Sequence, residues 1–483
     1  MTSKITKRLA AGVAALALGF TGAVALVAPA SAADGPNIPE DNGQNSIVVH
    51  KHSQPAGEQE PGDGTIVEPA PGNPINGVEF DLYRLVGINL NTPEGWEVVN
   101  TISEADGVVD SVTGDPATAV TIGGVSYPVS SVGTQETAGA GVATFGSLSY
   151  GIYLVVEGED NGDNDITSKA APFIVSLPFA TENNEWLTTV HAYPKNSQTT
   201  VAKSVESAGL LVGSVVEWKV DVTIPQLAQG DALTSFSISD SFDARLGNLG
   251  VSSVSIGGTT LPATDYVVGG AGQTVTVTPT LTLVNAAQGE VVSVVFTSTV
   301  ESLGEDGIIS NEALANIDGN DFESNPAEVK YGEARILKYA ADDKAQTLAG
   351  AEFALYATED EATAALNGTP GSPIWTGTTP ANGILNIGAE GENPGIKEGT
   401  YYLVETVAPN GYNRTDEVIE VPVVAGGAGA PIEIDVANTQ VPEWELPLTG
   451  GDGALWFGIG GGALVAIAAG AALVIARRQK ATV

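Results

Sequence analysis

One short pattern occurs twice in this 483-residue chain and limits the possible folds more than any other feature. Gly77-Val78-Glu79-Phe80-Asp81-Leu82-Tyr83 matches Gly350-Ala351-Glu352-Phe353-Ala354-Leu355-Tyr356. Downstream of each copy lies a second matched element. Gly151-Ile152-Tyr153-Leu154-Val155-Val156-Glu157 corresponds to Gly399-Thr400-Tyr401-Tyr402-Leu403-Val404-Glu405. Two elements repeated in the same order imply two domains of one fold. Val, Thr, Ile and Tyr fall in short alternating runs, and 59 Gly and 27 Pro punctuate them as turns. Only Asp360 to Leu366 reads as a short helix. The expected class is all-β, with stacked sandwiches of the immunoglobulin-like kind.

The stretch between the copies has its own pattern. From Thr199 to Tyr331 the runs are longer, as in Val215 to Ile224, Thr274 to Thr280 and Glu290 to Val300, and they predict a middle sandwich of another subtype. The first copy carries insertions. Ser53 to Asn73 is rich in Gly, Pro and Glu and reads as a mobile loop, and Gly158 to Asp165 as an acidic one. Five segments follow: 1–33, 34–196, 197–331, 332–441 and 442–483.

The outer two segments are export and anchoring signals. Lys4, Lys7 and Arg8 precede an apolar stretch from Leu9 to Val27, and Ala30-Ser31-Ala32 forms a small-residue cleavage site. At the other end Leu446-Pro447-Leu448-Thr449-Gly450 precedes an uncharged apolar run, Ala454 to Ala476, and then Arg477, Arg478 and Lys480. That run is long enough for a transmembrane helix, since 23 residues at ~1.5 Å each span a bilayer core. The basic tail would hold the C-terminus in the cytoplasm.

Discounting both ends leaves 13 basic against 57 acidic side chains, a net charge of about −44. Such a balance excludes nucleic-acid binding, which needs a basic footprint. It weakens any assembly that relies on noncovalent contact alone. The chain has no cysteine, so disulfides cannot brace it outside the cell, and thiol-protease chemistry is excluded. Three histidines on two strand segments give no typical zinc spacing, and no cofactor is expected. The acidic run Glu157 to Asp165 offers oxygens to calcium, but its Gly sits too early for an EF-hand, so a solvated turn is the simpler reading.

LPLTG ahead of an apolar span and basic tail resembles the sorting signal read by sortases, the Gram-positive transpeptidases. The resemblance implies cleavage between Thr449 and Gly450 and transfer of the Thr449 carboxyl to an amine. Trp186, Val190, Tyr193, Pro194, Lys195 and Asn196 resemble the pilin motif WxxxVxVYPKN of sortase-assembled backbone pilins, with Ala192 in place of a valine. In that family the motif lysine is the acceptor, so a pilin-specific sortase would join Thr449 of one subunit to Lys195 of the next. Such a nucleophile must be a neutral amine on a firmly held strand end, and Pro194 suits that place.

The same family cross-links its domains internally. A buried lysine amine attacks an asparagine amide and ammonia leaves, assisted by a carboxyl group. Burial favours the neutral amine and the protonated acid. By this resemblance the last domain is CnaB-like, with Lys338 joined to Asn438 and Glu405, in an E-box, assisting. The middle domain resembles a CnaA-type sandwich, with Lys203, Asp240 and Asn325; Asn311 is the rival acceptor. The first domain carries Lys51, Glu157 and Asn196 at matching positions, although not every family member forms a bond there.

The chain is therefore expected to be a major fimbrial shaft subunit. It would be covalently polymerised, secreted and anchored to peptidoglycan, a sortase substrate rather than an enzyme. Its partners would be identical subunits, sortases and a minor tip pilin. A monomeric wall-anchored adhesin or a minor pilin is the alternative.

Overall fold

A computed structural model describes residues 37–442 apart from 58, 61, 105–110, 184, 370, 389–393, 427, 428 and 430. The export signal, LPLTG and the apolar C-terminal run lie outside these residues. The described chain is built almost wholly of strands. It divides into two compact units. The first runs to Glu333 and also takes in Gly388–Gly399 and Val423–Pro431; the second holds Ala334–Ile387, Thr400–Pro422 and the chain from Ile432. The second unit thus begins at Ala334, two residues after the break read at 331/332, and two later excursions belong with the first. Ile396–Lys397 pairs with the end of Ala327–Gly332, which explains one of them.

The first unit contains both sandwiches read from residues 34–331. In the N-terminal one, strand Asn45–His50 lies between Thr189–Ala192, parallel to it, and Val142–Leu148, antiparallel. A six-stranded sheet faces these, with Val78–Leu85 flanked by Gly151–Asp160 and Val125–Glu136. The two halves of the repeat are thus neighbouring strands. Ile47, Val49, Phe80, Leu82, Phe145, Tyr153, Val155 and Val190 fill the space between the sheets. The middle sandwich pairs a sheet built on Val215–Thr223 and Val291–Val300 with one built on Phe236–Ser241 and Ala313–Ile317. Its core centres on Trp218, whose indole N–H donates to Ser298 Oγ at 2.9 Å.

In the second unit Ala334–Ala340 pairs in parallel with Ile432–Asn438 and antiparallel with Ile384–Ile387. The opposite sheet is Trp375–Thr378, Glu352–Tyr356, Gly399–Val407 and Ile419–Val423. Here too the repeated elements, Glu352–Tyr356 and Gly399–Val407, lie side by side.

Two helices were not expected. Pro93–Glu104 begins with proline, which is preset for a first helical turn. Trp96, Val99 and Ile102 recur along it at helical spacing and pack on Val120 and Ile122. Leu281–Ala286 is a single short turn in the middle sandwich. The helix expected at Asp360 to Leu366 spans Glu359–Leu366, and the Thr358 side chain caps it by accepting from the Glu361 N–H. The Ser53 to Asn73 insertion, read as a mobile loop, is tied at several points. Ser53 and Asn73 exchange hydrogen bonds at its ends, and the Val67 N–H donates to the Tyr193 hydroxyl at 2.8 Å.

Candidate functional site

Strand parity decides which lysines face the core. Along Asn45–His50 every second residue is buried, and Lys51 continues that inward row. Lys338 occupies the corresponding inward place on Ala334–Ala340. Both are fully buried, as is the side chain of Lys203 on Val201–Ala208. A buried ammonium is costly unless partnered, and each of these has a carboxylate.

In the N-terminal sandwich Lys51 Nζ lies 3.0 Å from Glu157 Oε2 and donates to Asn196 Oδ1. Asn196 Nδ2 donates to Glu157 Oε1. Register explains the meeting: His52 faces Lys195 and Ser53 faces Asn196 across a parallel pair, so the asparagine sits two positions beyond the residue opposite Lys51. The second unit repeats the geometry. Lys338 faces Val436, and Asn438 is two positions on. Lys338 Nζ donates to Asn438 Oδ1 and stands 3.3 Å from Glu405 Oε1, which accepts from Asn438 Nδ2 at 2.8 Å. Glu157 and Glu405 come from the same position of the repeat.

The middle sandwich corrects one expectation. Lys203 Nζ donates to Asp240 Oδ2, as the sequence suggested. Asn325, however, is exposed and holds the backbone of Lys203 instead: its Oδ1 accepts the Lys203 N–H at 3.0 Å and its Nδ2 donates to the Lys203 carbonyl at 2.9 Å. Its amide is committed to closing a strand end and does not face the amine. Asn311 is the buried one, on the inward parity of Ile308–Asn311. Its amide sits beside Asp240, whose pKa burial raises against smaller opposing pulls from Lys203 and Asn311, and among the described residues neither amide atom has a well-formed hydrogen bond. Of the two asparagines, Asn311 is the one whose amide lies beside the carboxylate of the amine–carboxylate pair.

The electrostatics favour a nucleophile in each cluster. Burial pushes Lys51 down to about 8, against the opposing pull of Glu157. Burial likewise depresses Lys338 and Lys203 and raises Asp240. Aromatic rings back each amine. Phe80 lies 5.9 Å from Lys51 Nζ, and Phe353 is at the same distance from Lys338 Nζ. Trp218 and Phe242 flank Lys203. Phe80 and Phe353 were visible as the invariant phenylalanine of the repeat, but their contact with the lysines needed coordinates.

Lys195 is of the other parity. It begins the strand Lys195–Gln198, half-buried, in one outward row with His191 and Tyr193. Burial lowers its pKa, and among the described residues its amine makes no hydrogen bond or ion pair. The His50 ring stacks on Tyr193 with centroids 4.5 Å apart, and its Nε2 lies 2.8 Å from His191 Nδ1. This cluster was not foreseen. The acidic turn proposed for calcium closes on itself, since Asp160 accepts from the N–H groups of Gly162 and Asn164. Among the described residues no group of three or more His, Asp or Glu is arranged around a common metal position.

Comparison with known proteins agrees with this architecture domain by domain. Residues 42–197 match the Gram-positive pilin subunit D1 N-terminal domain, 195–330 the Sgo0707 N2 domain, and 332–440 a prealbumin-like fold domain. The chain is 31% identical to fimbrial subunit type 2 of Actinomyces naeslundii, over 99% of its own length and 98% of the relative's. The chain belongs to the Gram-positive fimbrial subunits. A second relative, fimbrial subunit type 1 of Actinomyces viscosus, is 26% identical over 94% of this chain and 95% of its own. In fold, this fimbrial subunit is similar to the full-length major pilin SpaD of Corynebacterium diphtheriae, with a TM-score of 0.62 at 24% identity, covering 83% of this chain and 98% of that one. It is also similar to the fimbrial protein FimP of Actinomyces oris, with a TM-score of 0.52 at 22% identity, covering 85% and 100%. It is a subunit of a cell-surface fimbria.

Proposed function

We propose that the shaft is a covalent polymer in which the Thr449 carboxyl of one subunit is joined by a sortase to the Lys195 amine of the next. The last subunit is passed to peptidoglycan by the same sorting signal. The observation that carries this reading is the contrast among the lysines. Lys51, Lys203 and Lys338 are sealed in the cores, whereas Lys195 faces outward at a strand end with a depressed pKa and an uncommitted amine. The sealed lysines serve a second chemistry: autocatalytic amide bonds Lys338–Asn438, Lys203–Asn311 and Lys51–Asn196, assisted by Glu405, Asp240 and Glu157. Proximity supplies the effective concentration, so no enzyme is needed for these.

Two measurements separate the chemistries. Lys195→Arg should abolish the high-molecular-weight ladders of surface fimbriae while leaving the internal bonds intact; ladders of wild-type length would end the polymerisation reading. Each internal bond releases one ammonia, so the mature chain should weigh less than its sequence by ~17 Da per bond.

A further inference from the structure

We propose that the backbone N–H of Ala170 is an oxyanion donor for the Lys51–Asn196 cross-link. This deepens the cross-linking reading above and rests on it. The N–H lies 2.8 Å from Asn196 Oδ1 and 3.0 Å from Glu157 Oε2. It is fixed there from two sides. Ser168 is paired with Ser197 on the strand that carries Asn196, and the Lys169 ammonium donates to the Gly158 carbonyl on the strand that carries Glu157. An N–H in that place also sets the asparagine amide. It can be met only by the oxygen, so Oδ1 turns toward Ala170 and Lys51, and Nδ2 is left facing the Glu157 carboxylate.

That orientation assigns each atom of the reaction. The Glu157 carboxylate takes a proton from Lys51 Nζ, and the neutral amine attacks Asn196 Cγ. As the new C–N bond forms, negative charge gathers on Oδ1, where the Ala170 N–H already points. Glu157 passes its proton to Nδ2, the old C–N bond breaks and ammonia leaves, and the freed carboxylate takes the second proton from the new amide nitrogen. No electron acceptor or co-reactant is required. A preorganised donor at the atom that becomes charged lowers the barrier more than it stabilises the resting amide. Among the described residues of the second unit no backbone N–H is hydrogen-bonded to Asn438 Oδ1. The Thr415 N–H, which stands where Ala170 does relative to the glutamate, donates to Glu405 Oε2 at 2.8 Å and not to Asn438. The two clusters therefore share a carboxylate and differ in the oxyanion donor.

The test uses the full mature chain made by cell-free synthesis, sampled at intervals and digested for peptide masses. Ala170 is replaced by lactic acid, which exchanges the N–H for an ester oxygen and keeps the shape. Ala170→Pro is a second variant, and an ester at Thr415 measures what losing a bond to the carboxylate alone costs. The Lys338–Asn438 bond in the same molecule serves as an internal clock. In both Ala170 variants the loss of ammonia at Lys51–Asn196 should slow by ~100-fold or more, the usual effect of deleting one such donor, with the Lys338 bond unchanged. A wild-type rate in the ester variant would overturn the proposal. So would a slowing no greater than the Thr415 ester causes at its own bond. A wild-type chain that links Lys338 but never Lys51 would also overturn it while leaving the rest of the cross-linking reading standing; a chain with neither bond would remove that reading itself.

Discussion

At the scale of single residues, the chemistry of this subunit is set by which face of a strand a lysine occupies. A shift of one position would exchange a core amine for a surface one. The histidines follow the same logic. His50 is half-buried, stacked on Tyr193 and 2.8 Å from the His191 ring, and its pKa falls to about 4, chiefly through burial and then through His191 and His52. The folded state thus binds fewer protons than the unfolded chain between about pH 4 and 6.5, and stability must fall as pH drops through that window. The group is partly solvated, so screening leaves ~1 kcal/mol of this. His50→Phe, which keeps the stacked ring, should flatten the acid limb of the unfolding curve relative to wild type. Histidine-selective NMR should place the wild-type midpoint near 4; one near 6.5 would contradict the packing described.

Elements show how much the sequence disclosed and where it stopped. The repeat disclosed two domains of one fold, and the structure adds that its two elements are neighbouring strands, Val78–Leu85 with Gly151–Asp160 and Glu352–Tyr356 with Gly399–Val407. It also carried Lys51, Glu157 and Asn196 onto Lys338, Glu405 and Asn438. The middle domain has no second copy, and there the sequence favoured Asn325 over Asn311, whereas the structure exposes Asn325 and buries Asn311. Context beside a closing strand says nothing about parity, and only parity buries an amide. Helix Pro93–Glu104 was missed because Val98, Val99 and Ile102 are β-branched residues that weaken a helical signal. Closing the first and last strands of a domain should matter far more than surface pairing. Lys338 and Asn438 are 100 residues apart, and a covalent loop of that size removes ~4–5 kcal/mol of unfolded-chain entropy. Asn438→Ala, which keeps the Lys338–Glu405 pair, should lower the melting temperature of that unit by ~20 °C or more. Lys344→Ala breaks only an exposed 2.7 Å pair with Asp435 and should shift it by a degree or two at most.

For the whole molecule, the polymer joint proposed above would determine which bonds bear load. A force entering at Lys195 and leaving at Thr449 would pass through the middle domain and the last domain in turn. The chain before Lys195 would stand outside this path. Parallel first and last strands, as in Ala334–Ala340 against Ile432–Asn438, are loaded along their length, and an amide bond between them diverts force around everything enclosed. Without it the enclosed 100 residues can pay out as chain, ~340 Å at ~3.4 Å each. A Lys51–Asn196 bond would have a different place, since it would fasten the residue next to the proposed joint to the first strand of a domain outside the path. Single-molecule pulling between a handle at position 195 and one at the C-terminus distinguishes these roles. Wild type should show no step near 340 Å, and Asn438→Ala should add one. Asn196→Ala should leave the force–extension trace unchanged while making the N-terminal sandwich more sensitive to heat and protease. If Asn196→Ala instead lengthened the trace, a load applied at position 195 would be running through the first domain, and the separation of that domain from the loaded path would be wrong.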